Sequence, residues 1–210
     1  MTARLILASK SPARTGLLTE AGIRHDVVVS AVDEPAVVAS YGAIDPHETS
    51  LLLARAKAEA VAALDDAGGG FVIGCDSVFE FDGEAHGKPY DPAVAIERIT
   101  RMQGRSGILH TGHWLIDTRR GGTGGTLGAV ASARVTFARM TAAEIGAYVA
   151  TGEPLHCAGS FTIDGLGGAF VERVDGDPHA VVGLSISTLR GLLGSLGVPI
   201  TELWSPVVPL

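Results

Sequence analysis

The sequence predicts an α/β fold, and three observations carry the prediction. Short apolar runs alternate along the chain with Ala- and Leu-rich stretches of helical spacing. Turn residues such as Gly22, Asp45-Pro46, Gly68-Gly69-Gly70, Asp82-Gly83 and Gly104 bound those segments. The chain has 210 residues, 46% of them hydrophobic, enough for a sizeable core in a single domain (1–210). Aromatics are only 5%, so Ala, Val, Leu and Ile must fill that core.

Residues 4–8 read as the first strand and 12–22 as a helix, with Pro12 suited to its first turn. Residues 25–30 read as a second strand, and Asp33-Glu34 falls in a loop after it. A helix is predicted over 47–64. Phe71–Cys75 is a continuous apolar run expected to form a central strand, ending at Asp76 in an acidic turn. Val78–Phe81 follows and turns at Asp82-Gly83, a hairpin signal. Asp91–Met102 is an amphipathic helix, and 108–118 and 127–139 have strand character. The Gly-rich stretch 119–125 reads as a flexible hairpin tip. It lacks the Gly-Lys-Ser/Thr ending of a phosphate-binding P-loop. Thr141 and Glu144 have capping-box spacing at the start of a helix over 141–151. A strand over 169–174 and a closing helix over 187–196 complete the pattern, and the tail 197–210, with three prolines, is expected to pack loosely.

The net charge of -7 argues against a general nucleic-acid binder, yet a few local cations suffice for a small anionic ligand. The two cysteines, Cys75 and Cys157, read as reduced thiols. The run after Arg4 is too short for a signal peptide, and no apolar stretch reaches membrane-spanning length. A cytoplasmic protein without membrane or nucleic-acid partners is expected. The seven histidines lack metal-ligand spacing and there is no Cys-x-x-Cys, so structural zinc is not expected.

The first functional signal is Leu5-Ile6-Leu7-Ala8-Ser9-Lys10-Ser11-Pro12-Ala13-Arg14. A strand passes into a helix N-terminus, whose unpaired N–H groups favour anions. Ser9 and Ser11 add hydroxyls and Arg14 a planar cation. Such an assembly suits a phosphate chain, although these ten residues by themselves favour an ordinary Ser-capped helix. Asp76 at a strand end sits where ligands of open α/β sheets bind, or else caps a turn. A haloacid-dehalogenase phosphatase would need a second Asp two residues on, where Val78 stands. Lys57 falls on the Leu53/Ala54 side of its helix, so its ammonium either snorkels out or points inward. Lys88 is presented from the constrained Gly87-Lys88-Pro89 turn.

Taken in order, these segments resemble the Maf family of nucleoside triphosphate pyrophosphatases. The set includes Asp33-Glu34, Ala56-Lys57-Ala58, Gly74-Cys75-Asp76-Ser77, Gly87-Lys88-Pro89, Gly152-Glu153-Pro154, His156-Cys157-Ala158-Gly159-Ser160-Phe161, Asp164-Gly165-Leu166-Gly167 and Val182-Gly183-Leu184-Ser185. The resemblance covers roughly residues 4 to 195. It implies a mixed twisted sheet with flanking helices, ITPase-like, with two lobes around a deep nucleotide cleft. It also implies hydrolysis of a nucleoside triphosphate to monophosphate and pyrophosphate, removing non-standard nucleotides. By this resemblance Asp76 is the general base and, with Glu34, holds a divalent cation, Mg²⁺ or Mn²⁺. Glu34 ligates the metal or positions the water. Lys57, Lys88, Ser9 and Arg14 hold the triphosphate. Ala13 replaces the first arginine of the family's Ser-Pro-Arg-Arg element, so that one phosphate contact is lost, supplied elsewhere or dispensable here.

The late segment is nearer the family's 7-methylguanosine-triphosphate type than its dTTP/UTP type. Asp164 stands where the latter has glutamine, and a carboxylate only accepts hydrogen bonds. Asp164 therefore suits a base edge rich in N–H donors, or else forms a turn before Gly165. Family members are often homodimers, and the resemblance extends that expectation here. The alternative reading is a nucleotide-binding regulator of cell division with little turnover.

Overall fold

The computed structural model describes residues 3–42 and 45–205. Its frame is a seven-stranded mixed sheet: β1 (Leu5–Leu7), β2 (Asp26–Val27), β3 (Phe71–Phe81), β4 (Glu84–His86), β5 (Ser106–Asp117), β6 (Thr126–Phe137) and β7 (Val171–Gly176). The order is β2-β1-β3-β5-β6-β7. β1 runs parallel to β2 and β3, and the β3–β5–β6–β7 pairings are antiparallel. β4 folds back onto the far end of β3 through Asp82-Gly83. Both turn residues have positive φ (54° and 77°), as a tight hairpin of this hand requires.

Helices α1 (Pro12–Glu20), α2 (Glu34–Tyr41), α3 (Pro46–Ala62), α4 (Pro92–Met102), α5 (Ala142–Ala150), α6 (Pro178–Val182) and α7 (Ile186–Ser195) flank the sheet. Side chains satisfy several of their N-termini. Asp45 accepts from the Glu48 N–H, and Asp91 from the N–H groups of Ala93 and Val94. Thr141 and Glu144 close the expected capping box. Among the described residues no helix is long and apolar enough to cross a membrane.

Several expectations need correction. Asp76 does not end a strand. β5 pairs continuously with β3 from Phe71 to Glu80, so the acidic turn never forms and Asp76 lies mid-strand opposite Gly112. Asp33-Glu34 is not a loop. The Asp33 carboxylate accepts the Ala36 N–H at 3.1 Å and starts α2, whose first residue is Glu34. The second strand shrinks to Asp26–Val27, because β1 itself ends at Leu7. The last strand starts later, at Val171, after a compact turn over Leu166–Phe170.

The tail over 197–205 is packed. Leu203 is fully buried, and Trp204 bridges to Ile23. Residues 206–210 lie outside those described. The tip at 119–125 is not loose where it meets the sheet. The fully buried Asp117 side chain accepts five hydrogen bonds, from the Arg119 N–H, Nε and Nη2 and from the Thr123 N–H and Oγ1.

Two apolar clusters flank the middle of β3. One gathers Leu5, Leu7, Leu18, Phe71, Ile73, Leu189 and Leu193. The other gathers Phe79, Phe81, Ile99, Phe137, Ile145 and Phe161, and its three rings Phe79, Phe137 and Phe161 meet edge to face. Asp76 falls between the residues that β3 gives to each.

Helix α3 lies directly on the sheet because two strand residues lack a side chain. A β-carbon on Gly74 would stand 2.1 Å from the Ala54 carbonyl oxygen, and one on Gly112 2.2 Å from that of Ser50. These distances are far inside contact, and the atoms that would be struck are backbone. Gly74→Ala is therefore expected to cost about 3 kcal/mol in urea unfolding, at the upper end of overpacking penalties, and to impair any activity that depends on the placement of α3. An unchanged midpoint would show that α3 is not seated this way.

The Arg119 hydrogen bond, opposed by burial and aided by the Thr123 and Arg119 backbone N–H groups, holds the Asp117 carboxyl far below the usual carboxylate range. A carboxyl depressed in the folded state stabilises above its unfolded pKa of about 4 and loses that contribution as the pH falls. Asp117→Asn is expected to destabilise by roughly 2–4 kcal/mol at neutral pH, with the difference from the parent shrinking below pH 4. A pH-independent difference would contradict this assignment.

Candidate active site

Lys57 follows Leu53 and Ala54 at helical spacing, so it faces the sheet with them. Its side chain is only 10% exposed. The ammonium lies 2.5 Å from Asp76 Oδ1 and 2.8 Å from Glu34 Oε1, bridging β3 and the first residue of α2. Asp76 is as buried as Lys57, whereas Glu34 is half exposed.

The two carboxylates differ in consequence. Burial dominates at Asp76 and raises its carboxyl above the usual range, with Lys57 and Arg14 opposing and Glu34 adding to the rise. Burial also acts on Glu34, but the Lys57 hydrogen bond and the charges of Lys57, Lys88 and Arg14 outweigh it and lower the carboxyl. One site thus holds a readily ionised carboxylate beside one that takes a proton more easily.

The structure brings Ser9, Arg14 and Lys88 to the same place. Arg14 is buried and donates from Nε to the Gly183 carbonyl (2.7 Å), from Nη1 to Ser9 Oγ (3.1 Å) and from Nη2 to Ser77 Oγ (3.2 Å). Three of its five N–H donors are thus used within the chain, leaving two for a ligand. Ser9 Oγ accepts from Arg14 and from the Ser11 N–H, so its own hydrogen remains to be donated outward. Ser11 starts α1 without a side-chain cap. The ordinary capped helix is therefore not what these residues build.

Lys88 is exposed as a residue. Partial burial of its ammonium and the nearby Arg14 and Lys57 charges lower its pKa, against the pull of Glu34 and Asp76. Asp164 stands apart on an exposed loop, where its carboxylate accepts a hydrogen bond from the Thr162 hydroxyl.

Three contributors escaped the sequence reading. Ser77 accepts from Arg14 and pairs with Thr111, whose hydroxyl donates to the Ala180 carbonyl at 2.7 Å. Together they tie β3, β5 and the middle of α6 behind Arg14. Glu153 accepts from the Tyr148 hydroxyl and from the Leu166 and Gly167 N–H groups, each at 2.9 Å, and so anchors the loop that carries Asp164. The only signal for Glu153 was its place between a glycine and a proline. Its loop partners lie 13 and 14 residues downstream, beyond any local spacing rule.

A divalent cation can be tested against these residues. Lys57 occupies one oxygen of each carboxylate, and the second oxygen of each carries no hydrogen bond among the described residues. Asp76 Oδ2 is not sealed off from solvent either. Two carboxylate oxygens fit Mg²⁺ or Mn²⁺, which take few protein ligands and complete their shell with water and phosphate. Among the described residues no group of three or more His, Cys, Asp or Glu side chains could form an all-protein metal cage.

The chain is similar to known proteins over nearly its whole length. The family model described as Maf-like protein matches residues 4–196. A nucleoside triphosphate pyrophosphatase of Leifsonia xyli subsp. xyli is 55% identical over 96% of this chain and 97% of its own. Proteins with the same name from Salinispora tropica (56% identical, 96% of this chain and 88% of theirs) and Streptomyces coelicolor (52%, 97% and 95%) are similar throughout. A solved nucleoside-triphosphatase / dITP/XTP pyrophosphatase from Mycobacterium abscessus aligns over 65% of this chain and 75% of its own. Its TM-score of 0.35 and 13% identity make it too distant to support any argument. With a family model matched over nearly its whole length and relatives more than half identical to it, this chain belongs to the Maf family.

Proposed function

We propose that this chain hydrolyses nucleoside triphosphates to the monophosphate and pyrophosphate, water attacking the α phosphorus. The observation that carries the reading is the Lys57 ammonium bridging Asp76 and Glu34 beside Arg14, Lys88 and Ser9. Cations alone would serve a passive anion site. A buried carboxylate with a raised pKa among them serves a proton transfer. The names of the similar proteins point to the same reaction.

In this reading Lys88, Ser9, the two free Arg14 donors and the first-turn N–H groups of α1 hold the phosphates and neutralise charge as the transition state forms. Asp76 takes the proton of the attacking water, for which a raised pKa is an advantage. Lys57 keeps Asp76 aimed and ionised in the resting site. Glu34 and Asp76 would hold a Mg²⁺ or Mn²⁺ ion, which when bound supplies Lewis-acid neutralisation of the phosphate oxygens.

Asp164 would select the base. As an acceptor it favours an edge with N–H donors, as guanine or 7-methylguanine presents, over a thymine or uracil edge with a single donor. Removal of modified nucleotides is the corresponding role.

The test is pyrophosphate release from dTTP, UTP, CTP, GTP and 7-methylguanosine triphosphate with Mg²⁺ or Mn²⁺. A purine triphosphate is expected to turn over best, and Asp76→Asn to lose about 10²–10⁴-fold in kcat. Asp76 must be ionised to act as a base. The rate of the parent enzyme is therefore expected to fall as the pH drops and Asp76 takes up a proton. Full activity of Asp76→Asn would overturn the mechanism. Nucleotide binding without turnover would favour the regulator.

A further inference from the structure

We propose that Tyr90 and His156 form an aromatic edge on which the face of the substrate's base stacks. The inference rests on the nucleoside triphosphate reading and adds to it the residues that would bind the base by its face.

Tyr90 lies two residues beyond Lys88, with Pro89 between, on the strap that leads into α4. The Lys88 ammonium feels Arg14, Glu34, Lys57 and Asp76, so the strap starts at the phosphate-binding cations. Its outer end is fixed by the Tyr90 N–H, which donates to the Leu155 carbonyl at 3.1 Å. Leu155 and His156 belong to one short turn, Glu153–His156. The next residue, Cys157, has its thiol within electrostatic reach of both Lys88 and Asp164. The two rings thus adjoin, along the chain, the lysine assigned to the phosphates on one side and, through Cys157, the neighbourhood of the carboxylate assigned to the base edge on the other.

The rings are disposed for stacking. Their centroids are 6.0 Å apart at 65°, an edge-to-face pair. Such a pair leaves a ring face uncovered for a third planar group. Tyr90 is 66% exposed, among the most exposed large apolar side chains described. It is also held at φ +56°, a region that bulky residues rarely adopt. A solvent-exposed turn of this shape would be served better by glycine or asparagine. A tyrosine kept there at a conformational cost is consistent with a use for its ring. Base stacking is tolerant of base identity, because every base has a π face. The pair would supply affinity for nucleosides in general, while Asp164 discriminates among them.

The experiment compares a ligand that has a base with one that lacks it. Binding of GTP and of inorganic tripolyphosphate to the full chain is measured by calorimetry, and the KM for GTP by pyrophosphate release. For Tyr90→Ala, GTP affinity is expected to fall about tenfold and KM to rise in parallel, within the range found for loss of one base–aromatic stack. Tripolyphosphate affinity is expected to stay within twofold, and Tyr90→Phe to restore GTP binding. His156→Ala is expected to give a smaller loss of the same kind. Equal loss of GTP and tripolyphosphate would overturn the proposal, as would unchanged GTP affinity in Tyr90→Ala. If the parent chain binds GTP with this Tyr90 dependence but releases no pyrophosphate, the stacking proposal stands and the hydrolytic reading fails. Turnover that is indifferent to Tyr90 is the reverse case.

Discussion

The arrangement depends on one buried contact, the Lys57 ammonium held between Asp76 and Glu34. Burying a lysine and an aspartate carries a large desolvation penalty that only close, hydrogen-bonded pairing offsets. The backbone supplies the closeness. Gly74 and Gly112, on adjacent strands, remove the side chains that would hold α3 away from the sheet. The helix settles against bare backbone, and Lys57 then reaches the aspartate two residues beyond Gly74. A glycine in a strand is ordinarily a weakness. Here the lost strand propensity is the condition for the site.

The gap in the sheet is the second condition. β1 pairs with β3 only as far as Ile73, and β4 takes up that edge again at Phe79. Between them β3 has no strand neighbour on that side, while β5 continues to hold it from the other. The chain leaving β1 enters this gap as Ser9, Ser11 and the start of α1. Arg14, from the first turn of that helix, closes behind by gripping Ser9, Ser77 and the Gly183 carbonyl. Asp76 is thus open at its free oxygen yet fixed in a continuous ladder. That position is more rigid than a strand end, and a proton acceptor that must stay aimed gains from it.

Much of this was legible in the sequence. The alternation of apolar runs gave the α/β class, and the acidic N-caps and the Thr141–Glu144 box marked where helices begin. Lys57 was correctly placed on the buried side of its helix by simple spacing. What failed, failed for tertiary reasons. The pattern Cys75-Asp76-Ser77 reads as a polar interruption, and only the long pairing with β5 keeps it in a strand. Asp33 looked like loop charge because the apolar stripe of α2 is weak, and the helix starts from the Asp33 cap and the Glu34–Lys57 contact. Asp117 and Glu153 organise loops through partners that come together only when those loops close. The tail seemed loose from its prolines, although Leu203 fills the core beneath α7 and Trp204 pairs with Ile23.

The most direct test of the account is a double-mutant cycle on unfolding free energy with Lys57→Met, Asp76→Asn and the pair. Each single change leaves a buried charge or amide facing the wrong partner, so the account requires strong coupling. The double variant should be more stable than the sum of the single losses predicts, by about 1–3 kcal/mol. Additive losses would contradict the claim that Lys57 and Asp76 are held in the interior by each other, and the site would need to be rebuilt on Glu34 instead.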